Sequence, residues 1–124
     1  MAVPFARDTF QQISSCNLLD RVSYPLAHLY EMNRVACPSG ASFLFADPFS
    51  WSTSSAPEER WLGGTTIGEY AGRGADNVRR LLTAPDTLLS PPWQVTREGS
   101  IAWNMRTHTN HREQIRSQYL LAVR

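Results

Sequence analysis

Apolar positions in the first third of the chain predict a strand, a helix and a second strand. Residues 10–17 form a short segment that ends in small polar residues and favours a strand. Pro25 suits a first helical turn, and apolar residues continue after it at helical spacing until the turn at residues 38–40. The apolar run 42–46, bounded by turn residues, is typical of a strand buried on both faces. Together these elements predict a βαβ unit with a right-handed crossover.

The middle of the chain reads as a folded loop followed by a helix. Residues 49–64 are rich in Ser, Thr and Pro, but Phe49, Trp51 and Trp61 require cover, which favours a folded loop or lid. A helix is predicted over residues 76–83, capped by Asp76 or Gly74, with an apolar face of Val78, Leu81 and Leu82.

Two strands are predicted near the end of the chain. Residues 100–106 place Ile101, Trp103 and Met105 on one face, and residues 115–123 alternate less regularly. The connector 107–112 is polar, so we expect an antiparallel pair.

Length and charge exclude several classes of protein. The 124 residues suit one domain, and a net charge of +1 gives no electrostatic reason to expect a nucleic-acid partner or an anionic membrane. No apolar run approaches the roughly 20 residues of a membrane span, and residues 1–8 do not resemble a signal peptide, so we expect a cytoplasmic protein. All 12 basic residues are arginine, which excludes lysine Schiff-base and P-loop chemistry.

The usual metal, thiol and nucleotide motifs are weak here. Cys16 and Cys37 are expected to be free thiols, with a bridge between them as the less favoured alternative. His108 and His111 lack further ligands nearby, so we expect a solvated hairpin turn and no bound metal. The glycine-rich residues 68–74 lack the order of a nucleotide-binding loop, and no catalytic nucleophile is identified.

Polar residues cluster where the first two predicted strands end. Asn17, Asp20 and Arg21 follow the first strand, and residues 47–51, with Trp51 as a wall or lid, follow the second. Ligands of open α/β sheets bind in the crevice at these strand ends. The alternative is that Asp20 caps the following helix and Arg21 makes a surface ion pair; the sequence favours neither interpretation.

The same segments resemble the C-terminal half of a class I S-adenosylmethionine-dependent methyltransferase. The resemblance rests on FQQI at 10–13, NLLDR at 17–21, and RVACPSG at 34–40, which is similar to an arginine-valine-leucine-x-proline-glycine-glycine turn. More narrowly, residues 17–21, 48–51, 57–60 and WLGG at 61–64 resemble the 4-mercaptohistidine N1-methyltransferases of ovothiol biosynthesis. The resemblance covers nearly the whole chain.

The resemblance implies a fold, a cofactor and a set of site residues. The fold is α/β: a single partial domain over residues 1–124, with a truncated Rossmann-like sheet equivalent to strands 4-5-7-6 and flanking helices. Asn17 and Leu18 would contact S-adenosylmethionine, and Asp20, Arg21 and Trp51 would bind the small-molecule acceptor, an imidazole or thiol-imidazole.

The sequence also departs from the methyltransferase pattern. The family's glycine-rich loop and ribose-binding acidic residue lie N-terminal to the point where this sequence begins. Gln11 stands where the family has aspartate, and Ser39 replaces the first glycine of the turn. Strand 4 would become a sheet edge, and an open edge recruits another strand. We therefore expect a homo-oligomer, a complementary N-terminal half, a rearranged sheet or poor solubility.

Three functions follow, in order of preference. The first is a methyltransferase-like protein that is inactive alone, as a truncated gene product or one half of a split enzyme. The second is a non-catalytic interaction module that uses the strand edge and the tryptophan lid. The third is a small methyltransferase that completes its cofactor site by dimerising.

Overall fold

A computed structural model describes residues 2–124. Its regular elements are four strands and two helices: β1 (Gln12–Cys16), α1 (Pro25–Val35), β2 (Ser42–Asp47), α2 (Gly74–Thr83), β3 (Gln94–His108) and β4 (His111–Val123). Short 3-10 turns occupy Leu19–Arg21 and Glu58–Arg60. The predicted mixed α/β class, with four strands and two helices, is confirmed.

Residues 12–47 form the predicted βαβ unit. β1 pairs parallel to β2, with Ile13 opposite Phe43 and Ser15 opposite Phe45. Pro25 occupies the first turn of α1, where its fixed φ suits a helix and its missing N–H costs nothing. The turn before β2 takes its left-handed residue at Gly40 (φ +78°), so Ser39, which replaces the family's first glycine, does not adopt that conformation.

The sheet has the order β1-β2-β4-β3, so β1 and β3 are its edges. β4 runs antiparallel to both of its neighbours. The hairpin is longer and tighter than predicted, because regular pairing continues to His108 and His111 and leaves only residues 109–110 in the turn. Gln118 pairs with Asp47 at the end of β2, so residues 111–117 of β4 pair only with β3 and extend with it as a two-stranded arm.

Both helices pack on one face of this sheet. Leu29 of α1 and Val78 and Leu82 of α2 share a core with Phe43 and Phe45 of β2. The opposite face lacks a covering layer, and Leu44 is 40% exposed there. The prediction that β2 is buried on both faces was therefore wrong: the run is apolar throughout, but the described residues supply cover on one side only.

The segment between β2 and α2 is folded, as predicted. Trp61 donates from Nε1 to the carbonyl of Ala56 at 2.9 Å, and its ring stacks on Trp51. The predicted cap of α2 was wrong, because Arg73 is the N-cap and makes no side-chain cap bond, while Gly74 and Asp76 lie in the first turn.

Asn77 holds the glycine-rich turn against α2. Its Nδ2 donates to the carbonyls of Leu62 and Tyr70, both at 3.0 Å. The preceding glycines, Gly68 and Gly72, have φ of +99° and +91°. Residues 68–74 thus form a loop leading into a helix. None of the helices over residues 2–124 is long and apolar enough to cross a membrane.

Candidate functional site

The loops that follow β1 and β2 meet around two carboxylates. The backbone N–H of Asp20 donates to Oδ1 of Asp47 at 3.4 Å, and the N–H of Ser50 donates to Oδ2 of Asp20 at 2.8 Å. Oδ2 of Asp47 also accepts from the N–H of Phe49 at 3.0 Å. Each carboxylate therefore binds the backbone of the other strand's loop, and the pair joins the two loops at the strand ends where the crevice was expected.

Asp47 carries the strongest perturbation at this site. Its side chain is completely buried. Burial, together with the charge of Asp20, raises the pKa of Asp47 to about 7, against the opposing effect of three backbone N–H donors. A carboxyl group that titrates near neutrality can hold or release a proton there.

Asp20 lies inside the protein rather than on the wall of the crevice. It is 2% exposed, and its Oδ1 has no hydrogen-bond partner among residues 2–124. Nε of Arg21 lies 3.9 Å from that oxygen. The alternative in which Asp20 caps α1 was wrong, since the N-cap of α1 is Tyr24 and no side chain caps it.

Asn17 connects the end of β1 to the hairpin. It adopts φ +56°, a left-handed conformation that asparagine tolerates better than most residues. Its Oδ1 accepts from Oγ of Ser117 at 2.6 Å, and that same Oγ accepts from Nε1 of Trp103 at 2.9 Å. The neighbouring Leu18 is 45% exposed, so both residues proposed to contact a cofactor lie at the surface.

Arg21 and Trp51 differ in how far their side chains are exposed. The side chain of Arg21 is 67% exposed, which leaves most of its guanidinium open to a ligand. Trp51 stacks on Trp61 with ring centroids 6.4 Å apart and planes inclined by 16°. Its Nε1 is buried without an acceptor among the described residues, so Trp51 is a half-buried wall more than a free lid.

A groove of about 470 Å³ starts at the end of β1 and crosses the open face of the sheet. Cys16 and Asn17 line it at one end, and Leu44, Trp103 and Tyr119 line it further along. Its wall is largely apolar, with Arg97 as its charged residue. Of the predicted site residues, Asn17 lines this groove, whereas Asp20, Arg21 and Trp51 do not.

Sequence reasoning gave no role to two residues of this site. Asp47 was placed in the segment 47–51 at the strand ends but was not named as a site residue, although an aspartate before proline at the end of an apolar run could have marked it. Ser117 lies 100 positions from Asn17, and no local pattern connects the two. The five predicted residues divide accordingly: Asn17, Leu18 and Arg21 are exposed, Trp51 is half-buried, and Asp20 is buried.

The other candidate motifs lie elsewhere. His108 and His111 flank the hairpin turn with ring centroids 5.6 Å apart. Over residues 2–124, no three His, Cys, Asp or Glu side chains are grouped to hold a metal ion. Cys16 and Cys37 are free thiols, the first exposed and the second half-buried.

Comparison with known proteins supports the fold and leaves the family unassigned. No family model and no curated protein matches the sequence. A solved structure described as "Conversion of a Disulfide Bond into a Thioacetal Group during Echinomycin Biosynthesis" superposes with a TM-score of 0.54 at 13% identity. The match covers 95% of this chain and 50% of the other, so this chain spans about half the length of that neighbour. At this identity the likeness concerns the fold.

The described residues do not by themselves fit S-adenosylmethionine. Asn17 and Leu18 offer an amide and an apolar contact, but Asp20, which could have accepted from a ribose hydroxyl, is buried and already bonded to Ser50. The one glycine-rich loop, at 68–74, precedes α2 and does not follow a strand of the sheet. These residues form one wall of a site rather than a cradle for the cofactor.

Proposed function

We propose that this chain is the acceptor-binding half of a methyltransferase-like α/β domain, whose cofactor-binding side lies outside residues 1–124. The observation that carries the proposal is the strand order β1-β2-β4-β3, with a parallel first pair and a reversed β4. That order corresponds to 4-5-7-6 in the methyltransferase sheet that the sequence resembles. In this proposal the isolated chain neither binds S-adenosylmethionine tightly nor turns over.

The acceptor is a small polar molecule, and a carboxylated imidazole or thiol-imidazole suits the crevice. The exposed guanidinium of Arg21 pairs with a carboxylate, and the stacked Trp51 and Trp61 offer a flat apolar wall to a ring. The neighbour's description concerns sulfur chemistry on a small molecule, which agrees with an acceptor of this class.

Asp20 takes a different role from the one the resemblance implies. Because one of its oxygens holds Ser50 and its side chain is buried, it positions the loop after β2 and leaves direct contact with the acceptor to Arg21 and Asn17. Asp47 holds a proton beside it and keeps the two loops joined. Methyl transfer requires mainly alignment of the reacting atoms, so fixed loops serve the reaction without a dedicated acid or base.

The test is an NMR titration of the ¹⁵N-labelled chain with 4-mercaptohistidine and, separately, with imidazole. We expect shifts confined to residues 17–21 and 48–51, and binding of the carboxylated ligand weakened about tenfold in Arg21→Gln, the loss of one charge-assisted contact. Arg112→Gln, an exposed arginine on the hairpin arm, is the matched control. Shifts centred on residues 108–112, or no shifts at all, contradict the proposal.

A second candidate function is an interaction module without catalysis. The free edge of β1 and the exposed face around Leu44 favour it, because both are surfaces that other chains pair with or cover. Calorimetry with S-adenosylmethionine separates both functions from an independent enzyme: micromolar binding by the pure chain would contradict the two together.

A further inference from the structure

A slot lies between α2 and the β3–β4 hairpin, on the face of the sheet where both helices pack. Its volume is about 310 Å³, and its walls are the first two turns of α2 and residues 98–100 and 118–120. Phe45 and Leu120 are 1% and 6% exposed, so they form the base of the slot, and Phe49 lines it beside them. Ligand pockets begin at about 300 Å³. The slot therefore has room for a small molecule.

Two hydrogen bonds cross the slot from α2 to the hairpin. Nη2 of Arg73 donates to Oε1 of Gln118 at 3.3 Å, and Nη1 of Arg79 donates to Oε1 of Glu98 at 3.0 Å. The second bond is also an ion pair, so the charge of Arg79 is balanced by Glu98. Gln118 is neutral, and it leaves the charge of Arg73 unbalanced. The guanidinium of Arg73 is therefore available to an anion.

A second arginine with a neutral partner lies on the hairpin. Nη1 of Arg116 donates to Oγ of Ser100 at 3.2 Å. Ser100 pairs with Gln118 in the register of β3 and β4, and directly opposite residues have Cβ atoms about 5 Å apart. Arg73 and Arg116 therefore bond to neighbouring side chains. Neither of them forms an ion pair within the described part of the chain.

The balance of charge favours an anion in this slot. Its walls and rim hold three arginines and two acids, Asp76 and Glu98, which leaves one positive charge in excess. Asp76 is exposed to solvent and forms no ion pair over residues 2–124. A guanidinium has five N–H donors, and the hydrogen bonds described use one from Arg73 and one from Arg116. Both arginines thus keep donors for an oxyanion.

We propose that the slot binds a small phosphate monoester with a ring-sized apolar body. Arg73 and Arg116 hold the phosphate, since a planar guanidinium donates to phosphate oxygens in pairs and two such charges match a dianion. The body lies against Phe49 and the base of the slot. None of the charged residues of this site belongs to residues 17–21 or 47–51, so the inference stands independently of the proposed function.

An NMR titration of the ¹⁵N-labelled chain with phenyl phosphate tests the site, at a pH above the second pKa of phosphate esters, which is about 6. We expect saturable shifts in residues 73–79, 98–100 and 116–120. Benzoate keeps the ring but has one charge, and inorganic phosphate lacks the ring, so each should bind about fivefold more weakly. Shifts centred on residues 17–21, no saturable shifts, or equal binding of either control ligand overturns the proposal.

Arginine variants identify the groups that hold the phosphate. Arg73→Gln and Arg116→Gln should each weaken the binding of phenyl phosphate about tenfold, through the loss of one charge-assisted contact. Circular dichroism verifies the fold of both variants. Arg112→Gln removes an exposed arginine beside the hairpin turn and should bind as the parent does. Unchanged affinity in either slot variant, once it is shown to be folded, overturns the proposal.

A variant of the acid tests the role of charge in the opposite direction. Glu98→Gln keeps an acceptor for Arg79 but removes the negative charge, so phenyl phosphate should bind about threefold more tightly. Glu113→Gln is the matched control, because both glutamate side chains are 50% exposed and the chain loses the same charge in each variant. This control should leave the affinity unchanged. Equal affinities of the two variants for phenyl phosphate overturn the proposal.

Discussion

The buried carboxyl group of Asp47 makes stability depend on pH in a direction opposite to that of most carboxylates. Its pKa rises from 3.8 to about 7 in the folded chain, because burial and the charge of Asp20 disfavour the ionised form. Between these two values the folded state holds a proton that the unfolded state has released. The contribution is fully present below pH 3.8 and is lost as the pH rises through 7.

The magnitude follows from linkage. Because of this shift in the pKa of Asp47, raising the pH from 5 to 8 lowers the free energy of unfolding by about 2.5 kcal/mol. Asp47→Asn removes the titration. It also loses one of the two carboxylate oxygens that accept backbone N–H groups, at a pH-independent cost of about 1–3 kcal/mol. The parent is therefore more stable than Asp47→Asn at pH 5, and the advantage shrinks by about 2.5 kcal/mol at pH 8.

The assay is urea unfolding of both proteins at half-unit pH steps from 5 to 8. His28 complicates the parent's profile, because burial lowers its pKa and stability is lost as the pH falls below 6.5. That effect is common to both proteins and cancels in their difference. Asp20→Asn is a second comparison. Removal of its charge should lower the pKa of Asp47, so the free energy of unfolding should fall less between pH 5 and pH 8. A parent–variant difference that stays constant across the whole interval refutes a titrating Asp47.

Two further predictions concern the loop and the thiols. Gly64→Ala and Gly68→Ala both place a side chain at positive φ, costing about 1 kcal/mol, but only at Gly64 would the new Cβ meet Cδ1 of Trp51, at 2.9 Å. Urea unfolding should show a larger loss for Gly64→Ala together with a shift in tryptophan emission, and equal losses would contradict the contact. Ellman's reagent should titrate two thiols in the native protein, Cys16 faster than Cys37 in keeping with their exposure; a single reactive thiol or none argues against this arrangement.

Local physics made part of the fold predictable. Proline at a first helical turn and turn residues around an apolar run are short-range features. They placed the start of α1 at Pro25 and β2 to within one residue, whereas α1 ends at Val35, before the turn at 38–40 that was expected to stop it. β3 was underestimated because residues 94–100 carry little apolar periodicity and are held by pairing with β4 instead. Pairing of that kind depends on the partner strand and is invisible in a single window of sequence.

The candidate site was predictable in place and less so in detail. Strand ends of a parallel pair meet by topology, so residues 17–21 and 47–51 were expected together, and Asp20 and Asp47 bring them into contact. The direction of the Asp20 side chain could not be predicted, because it is set by a hydrogen bond from the N–H of Ser50, 30 positions away. The cover of β2 was also unpredictable, since an apolar run does not specify which of its faces finds a partner.

The position of β2 inside the sheet affects the risk that the chain aggregates during synthesis. One neighbour, β1, precedes it, but the other is β4, which is synthesised after α2 and β3. About 70 residues separate the end of β2 from the part of β4 that pairs with it, which takes roughly 4–15 s at typical rates of translation. During that interval the SFLFAD strand carries an open edge and two apolar surfaces on a nascent chain. Aggregation during synthesis therefore depends on elongation speed and on chaperones at the exit tunnel, more than on the stability of the finished protein.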